Sequence, residues 1–165
     1  MNRVFLSLGS NISNELRNLS ISIDKIKQHK KVNIISKSKI YISSPMYNKN
    51  QRDFYNMVIE IETTLLPNKL LNYLKGIEKK MGREITKKRN LPRIIDIDIL
   101  SYSDQSISTE TLTIPHKKLD ERLFVLKPWN DIDPDFLVPK LNKKVKQILK
   151  VLISCRKKDL IREIV

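Results

Sequence analysis

The sequence predicts an α+β fold of the ferredoxin-like kind, an antiparallel sheet with helices packed on it in a single domain spanning residues 1–165. Three observations predict it. Apolar stretches of strand and helix period follow one another in the order strand–helix–strand–strand–helix–strand. A length of 165 residues suits one compact domain. A composition of 40% hydrophobic and 30% charged residues can bury a core.

Residues 4–8 form a short apolar run that ends in Gly9, Ser10 and Asn11, a strand followed by a turn. Over residues 14–28, Leu16, Leu19, Ile23 and Ile26 recur at helical spacing, with Asn14 as the expected N-cap. Residues 32–42 carry Val32, Ile34, Ile35, Ile40 and Tyr41 and read as one strand. The polar stretch 43–53 contains Pro45 and reads as a long loop, and residues 54–62 then alternate as a half-buried strand. Pro67 opens a helix whose apolar face is Leu70, Leu71, Leu74, Ile77 and Met81, and Gly82 stops it. The basic stretch 83–93 has no hydrophobic periodicity and is expected to be a mobile loop. Residues 94–102 are a strand, and after a turn at 103–105 a short strand leads to Pro115 and His116. Residues 117–139 read as loop-rich, and residues 145–152 as a final helix. The helices are expected on one face of the sheet.

No apolar run approaches the roughly 20 residues that a membrane helix needs, and the first residues lack the apolar core of a secretory signal. The single cysteine, Cys155, excludes an internal disulfide. A cytoplasmic monomer is expected, with no membrane partner. The net charge of +14 implies an anionic partner, whether nucleic acid, a membrane surface or a small polyphosphate, or else a solvated lysine-rich surface.

Asp96 and Asp98 are the most informative residues. Positions i and i+2 of a strand share a face, about 6–7 Å apart, while Ile95, Ile97 and Ile99 point to the core. Neighbouring carboxylates repel unless a cation or proton compensates them. Mg²⁺ is the natural compensation, because it takes a couple of carboxylates and fills its shell with substrate phosphates and water. The pair follows Arg83, Lys87, Lys88, Arg89 and Arg93, and cations beside carboxylate-bound metal are the recurring parts of phosphoryl transfer.

The run Arg89-Asn90-Leu91-Pro92-Arg93-Ile94-Ile95-Asp96-Ile97-Asp98-Ile99-Leu100 resembles the hallmark segment of the 6-hydroxymethyl-7,8-dihydropterin pyrophosphokinase family. Three further segments agree with that family in order and spacing: Gly9-Ser10-Asn11, Glu78 through Gly82-Arg83, and Leu112-Thr113-Ile114-Pro115-His116 followed by Arg122 through Pro128. The resemblance implies ATP-dependent pyrophosphoryl transfer to 6-hydroxymethyl-7,8-dihydropterin, giving the pterin diphosphate and AMP in folate biosynthesis. It implies two Mg²⁺ ions on Asp96 and Asp98, with Arg83 and Arg93 also catalytic. ATP would be bound by Lys75, Glu78, Arg83, Arg93, Ile99, Thr113, His116 and Arg122. The pterin would stack between Phe54 and Phe124, read by Asn56 and the chain around Ser43, Ser44 and Met46. Asn11 is expected to pin a turn, Trp129 to fill the core, and Arg156, Lys157 and Lys158 to form a solvated face.

The chain departs from the family pattern at Lys75, Asn90, Leu91 and Thr111, where glutamine, tryptophan, a small residue and arginine are common. These departures bear on closure of the 83–93 loop and on nucleotide affinity. Two rivals share the topology. A palm-type nucleotidyl transferase would release pyrophosphate rather than AMP. An RNA-binding module would need exposed aromatics where residues 94–102 present Asp96 and Asp98, so no nucleic-acid partner is expected.

Overall fold

The computed structural model of the protein describes residues 1–83, 91–155 and 161–164. Strand β1 (Asn2–Ser10) leads into helix α1 (Glu15–Lys27), then strands β2 (Val32–Lys37), β3 (Ile40–Ser43) and β4 (Phe54–Thr63). Helix α2 (Pro67–Lys80) and strand β5 (Asp96–Tyr102) complete the strand–helix–strand–strand–helix–strand order. The chain continues through β6 (Ile107–Ser108), β7 (Thr113–Ile114), a short 3₁₀ turn (Leu119–Glu121) and helix α3 (Leu123–Ile132). Strands β8 (Leu137–Val138) and β9 (Lys143–Lys144), helix α4 (Val145–Cys155) and strand β10 (Ile161–Ile164) follow.

β1 is central because Val4 to Ser10 are all buried, which requires cover on both faces. It pairs antiparallel with β4 on one side and β5 on the other. β2 and β3 both pair with β4, and β10 adds to β3. On one face α1 and α2 bury Leu19, Ile26, Leu70, Leu74 and Ile77 against Leu6, Leu8, Ile59, Ile97 and Ile99. Each such side chain contributes about 1.5–3 kcal/mol by leaving water.

The structure corrects several expectations. The stretch 117–139 is not loop-rich throughout, because α3 forms within it. With α4 it covers the second face of the sheet, where helices were expected on one face only. Its Trp129 is fully buried, with ring centroids 5.0 Å from Phe5 and 5.4 Å from Phe136. The expected strand over 32–42 is broken between β2 and β3, where Ser38 exchanges hydrogen bonds with the backbone of Val58 through its own N–H and its hydroxyl. Asn14 precedes α1 with a left-handed φ of 65° and makes no side-chain cap. The nearby order comes instead from Asn18, whose amide donates to Ser10 and to the carbonyls of Ile12 and Ser13. Leu16 is half exposed rather than core.

The strand parity of β5 depends on a bulge. Phe5 faces Ser101 while Leu6 faces Ile99, so Leu100 has no partner of its own. Tyr102 therefore packs with the α1/α2 core and Leu100 with the α3/α4 core. Beyond the bulge, Asp98 and Asp96 stand opposite Ser7 and Gly9, where these residues line a cavity.

Candidate active site

One end of the α3/α4 face of the sheet is left open as this cavity, lined by residues from β1, β3, β4, β5, the 44–53 loop and α3. The alternation of β5 aims both carboxylates into it, while Ile95, Ile97 and Ile99 are buried on the other side. Gly9 stands between β5 and Asn56 of β4, and a β-carbon there would approach Asn56 Oδ1 to 3.2 Å. A glycine here leaves room for the Asn56 side chain, which itself lines the cavity.

Guanidiniums converge on Asp96. Arg83 Nη1 donates to Asp96 Oδ1 at 2.5 Å, and Arg93 Nη1 donates to Oδ2 at 2.6 Å. Burial pushes the Asp96 carboxyl up, but Arg93, Arg83 and Lys75 outweigh it and hold the group below the usual carboxylate range. The end of α2 aims Arg83. Gly82 takes a φ of 94°, its N–H bonds to the Lys79 carbonyl, and the Arg83 N–H reaches back to Glu78 at 3.0 Å. This is the Schellman pattern of bonds. Arg93 is fixed through its backbone, whose N–H donates to Asn11 Oδ1 at 2.8 Å and whose carbonyl accepts the Asn11 N–H at 3.2 Å. Asn11 thus ties the end of β1 to the segment before β5, and its amide also donates to Gln51 and to the Arg52 carbonyl.

Asp98 is held more loosely. Its Oδ2 lies 3.3 Å from Arg122 Nη1 and 3.9 Å from His116 Nε2, longer than a charge-assisted bond of about 2.8 Å. The buried Nε of Arg122 has no partner among the described residues. The His116 loop is anchored by the bulge, since the His116 N–H donates to the Leu100 carbonyl at 3.0 Å. Its Nδ1 accepts the Lys118 N–H, which leaves the ring proton on Nε2. Burial lowers the His116 pKa; Asp98 opposes this and Arg122 adds to it, with the net shift downward, so the ring is neutral at neutral pH.

Of the expected site residues, Ser43, Ser44, Met46, Phe54, Asn56, Phe124, Arg93, Asp96, Asp98 and Arg122 all line the cavity. Asn56 donates to Ser43 Oγ at 2.9 Å, which orients its amide. Arg83 and His116 join through their contacts to Asp96 and Asp98. Glu78 is a buried clasp on strand β5: Oε1 accepts the Ile97 N–H at 2.7 Å, and Lys75 Nζ reaches Glu78 and the Ile97 carbonyl. Ile99 is core, and Thr113 is half-buried on β7. Lys87, Lys88, Arg89, Asn90 and the basic residues Arg156, Lys157 and Lys158 lie outside the described residues. Ser7, Gly9, Tyr47 and Gln51 also line the cavity and were not among the expected site residues. The one available signal was an aromatic, Tyr47, within an otherwise polar loop.

Such a sheet, with a carboxylate pair and converging guanidiniums at one end, defines an α+β protein of ferredoxin-like topology with a charged cavity at that end. The sequence profile of the 7,8-dihydro-6-hydroxymethylpterin-pyrophosphokinase family matches residues 5–134. The chain belongs to that family. It is 37% identical over 147 residues to the 2-amino-4-hydroxy-6-hydroxymethyldihydropteridine pyrophosphokinase of Aquifex aeolicus, covering 89% of this chain and 90% of that one. It is 43% identical over 141 residues to the folic acid synthesis protein FOL1 of Dictyostelium discoideum, covering 86% of this chain and 21% of that protein. The chain thus spans about a fifth of the length of the folic acid synthesis proteins it matches. The Plasmodium falciparum HPPK-DHPS wild-type structure with pteroate superposes with a TM-score of 0.76 at 18% identity, over 95% of this chain and 43% of that one. That likeness is one of fold. No helix among the described residues is long and apolar enough to cross a membrane.

Proposed function

We propose that the chain transfers the pyrophosphoryl group of ATP to 6-hydroxymethyl-7,8-dihydropterin, giving the pterin diphosphate and AMP, as one domain acting as a monomer in the cytoplasm. The observation that carries this reading is a single cavity lined both by Phe54, Phe124 and Asn56 and by Asp96, Asp98, Arg93 and Arg122. A flat ring held by the first group would have its hydroxymethyl oxygen near phosphates held by the second.

The donor set suits Mg²⁺. Asp98 is loosely tied and partly exposed, Asp96 is ionised, and both are hard oxygen donors on one face. Asp96 and Asp98 would hold two such ions, and magnesium when bound neutralises triphosphate charge. Arg83, Arg93 and Arg122 would bind phosphate oxygens, trading carboxylate partners for phosphate ones. His116 would donate its Nε2–H to the same phosphates. Phe54 and Phe124 would stack the pterin, with Asn56, Ser43, Ser44 and Met46 at its edge. Lys75, Glu78, Ile99 and Thr113 would border the nucleotide side. The pterin hydroxyl oxygen attacks the β-phosphorus, its proton passes to solvent water, and the bond from that phosphorus to the α,β-bridging oxygen breaks, so that this oxygen leaves on AMP. Positioning and charge neutralisation do most of this work.

The test is chromatography of protein incubated with ATP, Mg²⁺ and 6-hydroxymethyl-7,8-dihydropterin, with EDTA as control. AMP and pterin diphosphate, both lost with EDTA, are expected. Intact ATP from folded protein would overturn the reading, and released pyrophosphate would favour nucleotidyl transfer.

A further inference from the structure

Two loops meet across the rim of the cavity through Tyr47 and Lys118. Tyr47 comes from the loop between β3 and β4, and Lys118 from the turn after His116. Tyr47 lines the same cavity as Phe54 and Phe124, yet 48% of it is exposed, so it stands at the rim. Lys118 Nζ donates to the Tyr47 hydroxyl at 3.1 Å and lies 4.8 Å from the ring centroid. The ammonium is much nearer the hydroxyl than the ring centre, so it sits toward the phenolic edge rather than over the face. The hydrogen bond is therefore the main tie, and cation–π attraction is secondary.

Without that tie, a tyrosine in a polar loop would sample several rotamers, and ordering it on a ligand would cost conformational entropy. The flanking Met46 also lines the cavity, so Tyr47 sits on a segment already facing the ligand space. An aromatic ring in this place offers a flat apolar surface to a planar heteroaromatic ring, and stacked aromatic pairs gain about 0.5–1.5 kcal/mol beyond area burial.

We propose that Tyr47 is a further pterin-contacting residue of this chain, and that Lys118 is a positioning residue that holds its ring at the cavity rim through the phenol hydroxyl. The proposal rests on the functional reading above and adds an aromatic wall to the pterin side of the site. Lys118 here serves the pterin side, although its neighbour His116 faces the phosphate side.

The experiment measures pterin affinity by fluorescence titration in the presence of a non-hydrolysable ATP analogue. Nucleotide affinity is measured separately. It compares wild type with Tyr47→Ala, Tyr47→Phe, Lys118→Met and the Tyr47→Phe/Lys118→Met double variant. Tyr47→Phe and Lys118→Met should each weaken pterin binding by about three- to tenfold, the effect of one hydrogen bond, and the double variant should be no weaker than either. Tyr47→Ala should weaken it more than either, with nucleotide affinity in all variants within about twofold of wild type. Pterin affinity unchanged in Tyr47→Ala overturns the proposal. So do single-variant effects that multiply in the double variant, or a Lys118→Met effect on nucleotide instead of pterin. The wild-type titration separates the two failures. If wild type binds no pterin, the functional reading falls and the proposal with it; if wild type binds and the variants match it, the proposal alone falls.

Discussion

Glu78 of α2 accepts the backbone N–H of Ile97 in β5 at 2.7 Å, between the two aspartates of the site. β5 is an edge strand of the sheet, and an edge leaves a row of backbone groups unpaired. Glu78 and Lys75 satisfy the outward N–H and C=O of Ile97, and Glu78 Oε2 also pairs with Arg83 at 2.7 Å. One buried carboxylate therefore sets both the height of β5 and the aim of Arg83.

Glu78→Ala should lower stability by about 2–3 kcal/mol, because it strands a buried N–H and frees two cations at once. Urea unfolding checks the stability, and steady-state turnover should fall with it through the misplaced Arg83. Unchanged stability and activity would remove Glu78 from this role.

Asp96 and Asp98 should part company in stability while agreeing in activity. Asp98→Ala should reduce turnover by about 10²–10³-fold or more with little effect on unfolding, since its contacts are long. Asp96→Ala should show a similar loss of turnover and also cost about 1–3 kcal/mol, because Arg83 and Arg93 lose a close partner. Circular dichroism with urea titration distinguishes the two variants, and turnover retained in either would sink the shared role.

Trp129 is the only tryptophan, so fluorescence reports the α3/α4 core directly. Emission should be blue-shifted in the native state and move red on unfolding. Trp129→Ala should cost about 3–5 kcal/mol. Trp129→Phe should cost only about 1–2 kcal/mol, since the buried indole N–H has no partner among the described residues and its loss offsets part of the cavity. Equal costs for both would contradict that account.

Alkaline pH should unfold the protein through its tyrosines. Burial raises the phenol pKa of Tyr41, with Asp131 adding to it, and burial also raises Tyr73 and Tyr102. A raised pKa gives stability that is full below the unfolded value near 10 and is lost as pH climbs through the folded one. Absorbance titration should show these tyrosines ionising late and together with loss of near-ultraviolet circular dichroism. In Tyr41→Phe that loss should begin at higher pH. Early, independent ionisation of all the tyrosines would refute this.

What the sequence revealed was local. The alternation of residues 95–99 is a property of one strand, so the shared face of Asp96 and Asp98 was readable without neighbours. Pro67 and Gly82 punctuate α2 by their own backbone preferences, and that helix stands where it was expected. α3 was not readable, because Pro128 interrupts its pattern, no side chain caps its start, and its order derives from Trp129 and Leu126 packing on a distant face. β10 was equally hidden, since Ile161 to Ile164 become a strand only by pairing with Ser43 to Ile40. Most residues of the cavity followed from the family resemblance. Tyr47 and Gln51 did not, because a loop's side chains have no period to read. The hold of Glu78 on the Ile97 backbone is likewise a tertiary contact with no signal in the sequence.

The unpaired Leu100 has one more consequence, for how β5 can vary in length. Tyr102 faces the α1/α2 core and so do Ile99 and Ile97, and an unbulged strand cannot satisfy that parity. Removing one residue between 99 and 101 would swap the two sides of the strand beyond it, driving both carboxylates into hydrocarbon or turning Tyr102 out of its place. Insertions and deletions here are therefore tolerable in pairs and ruinous singly, so β5 counts its residues modulo two.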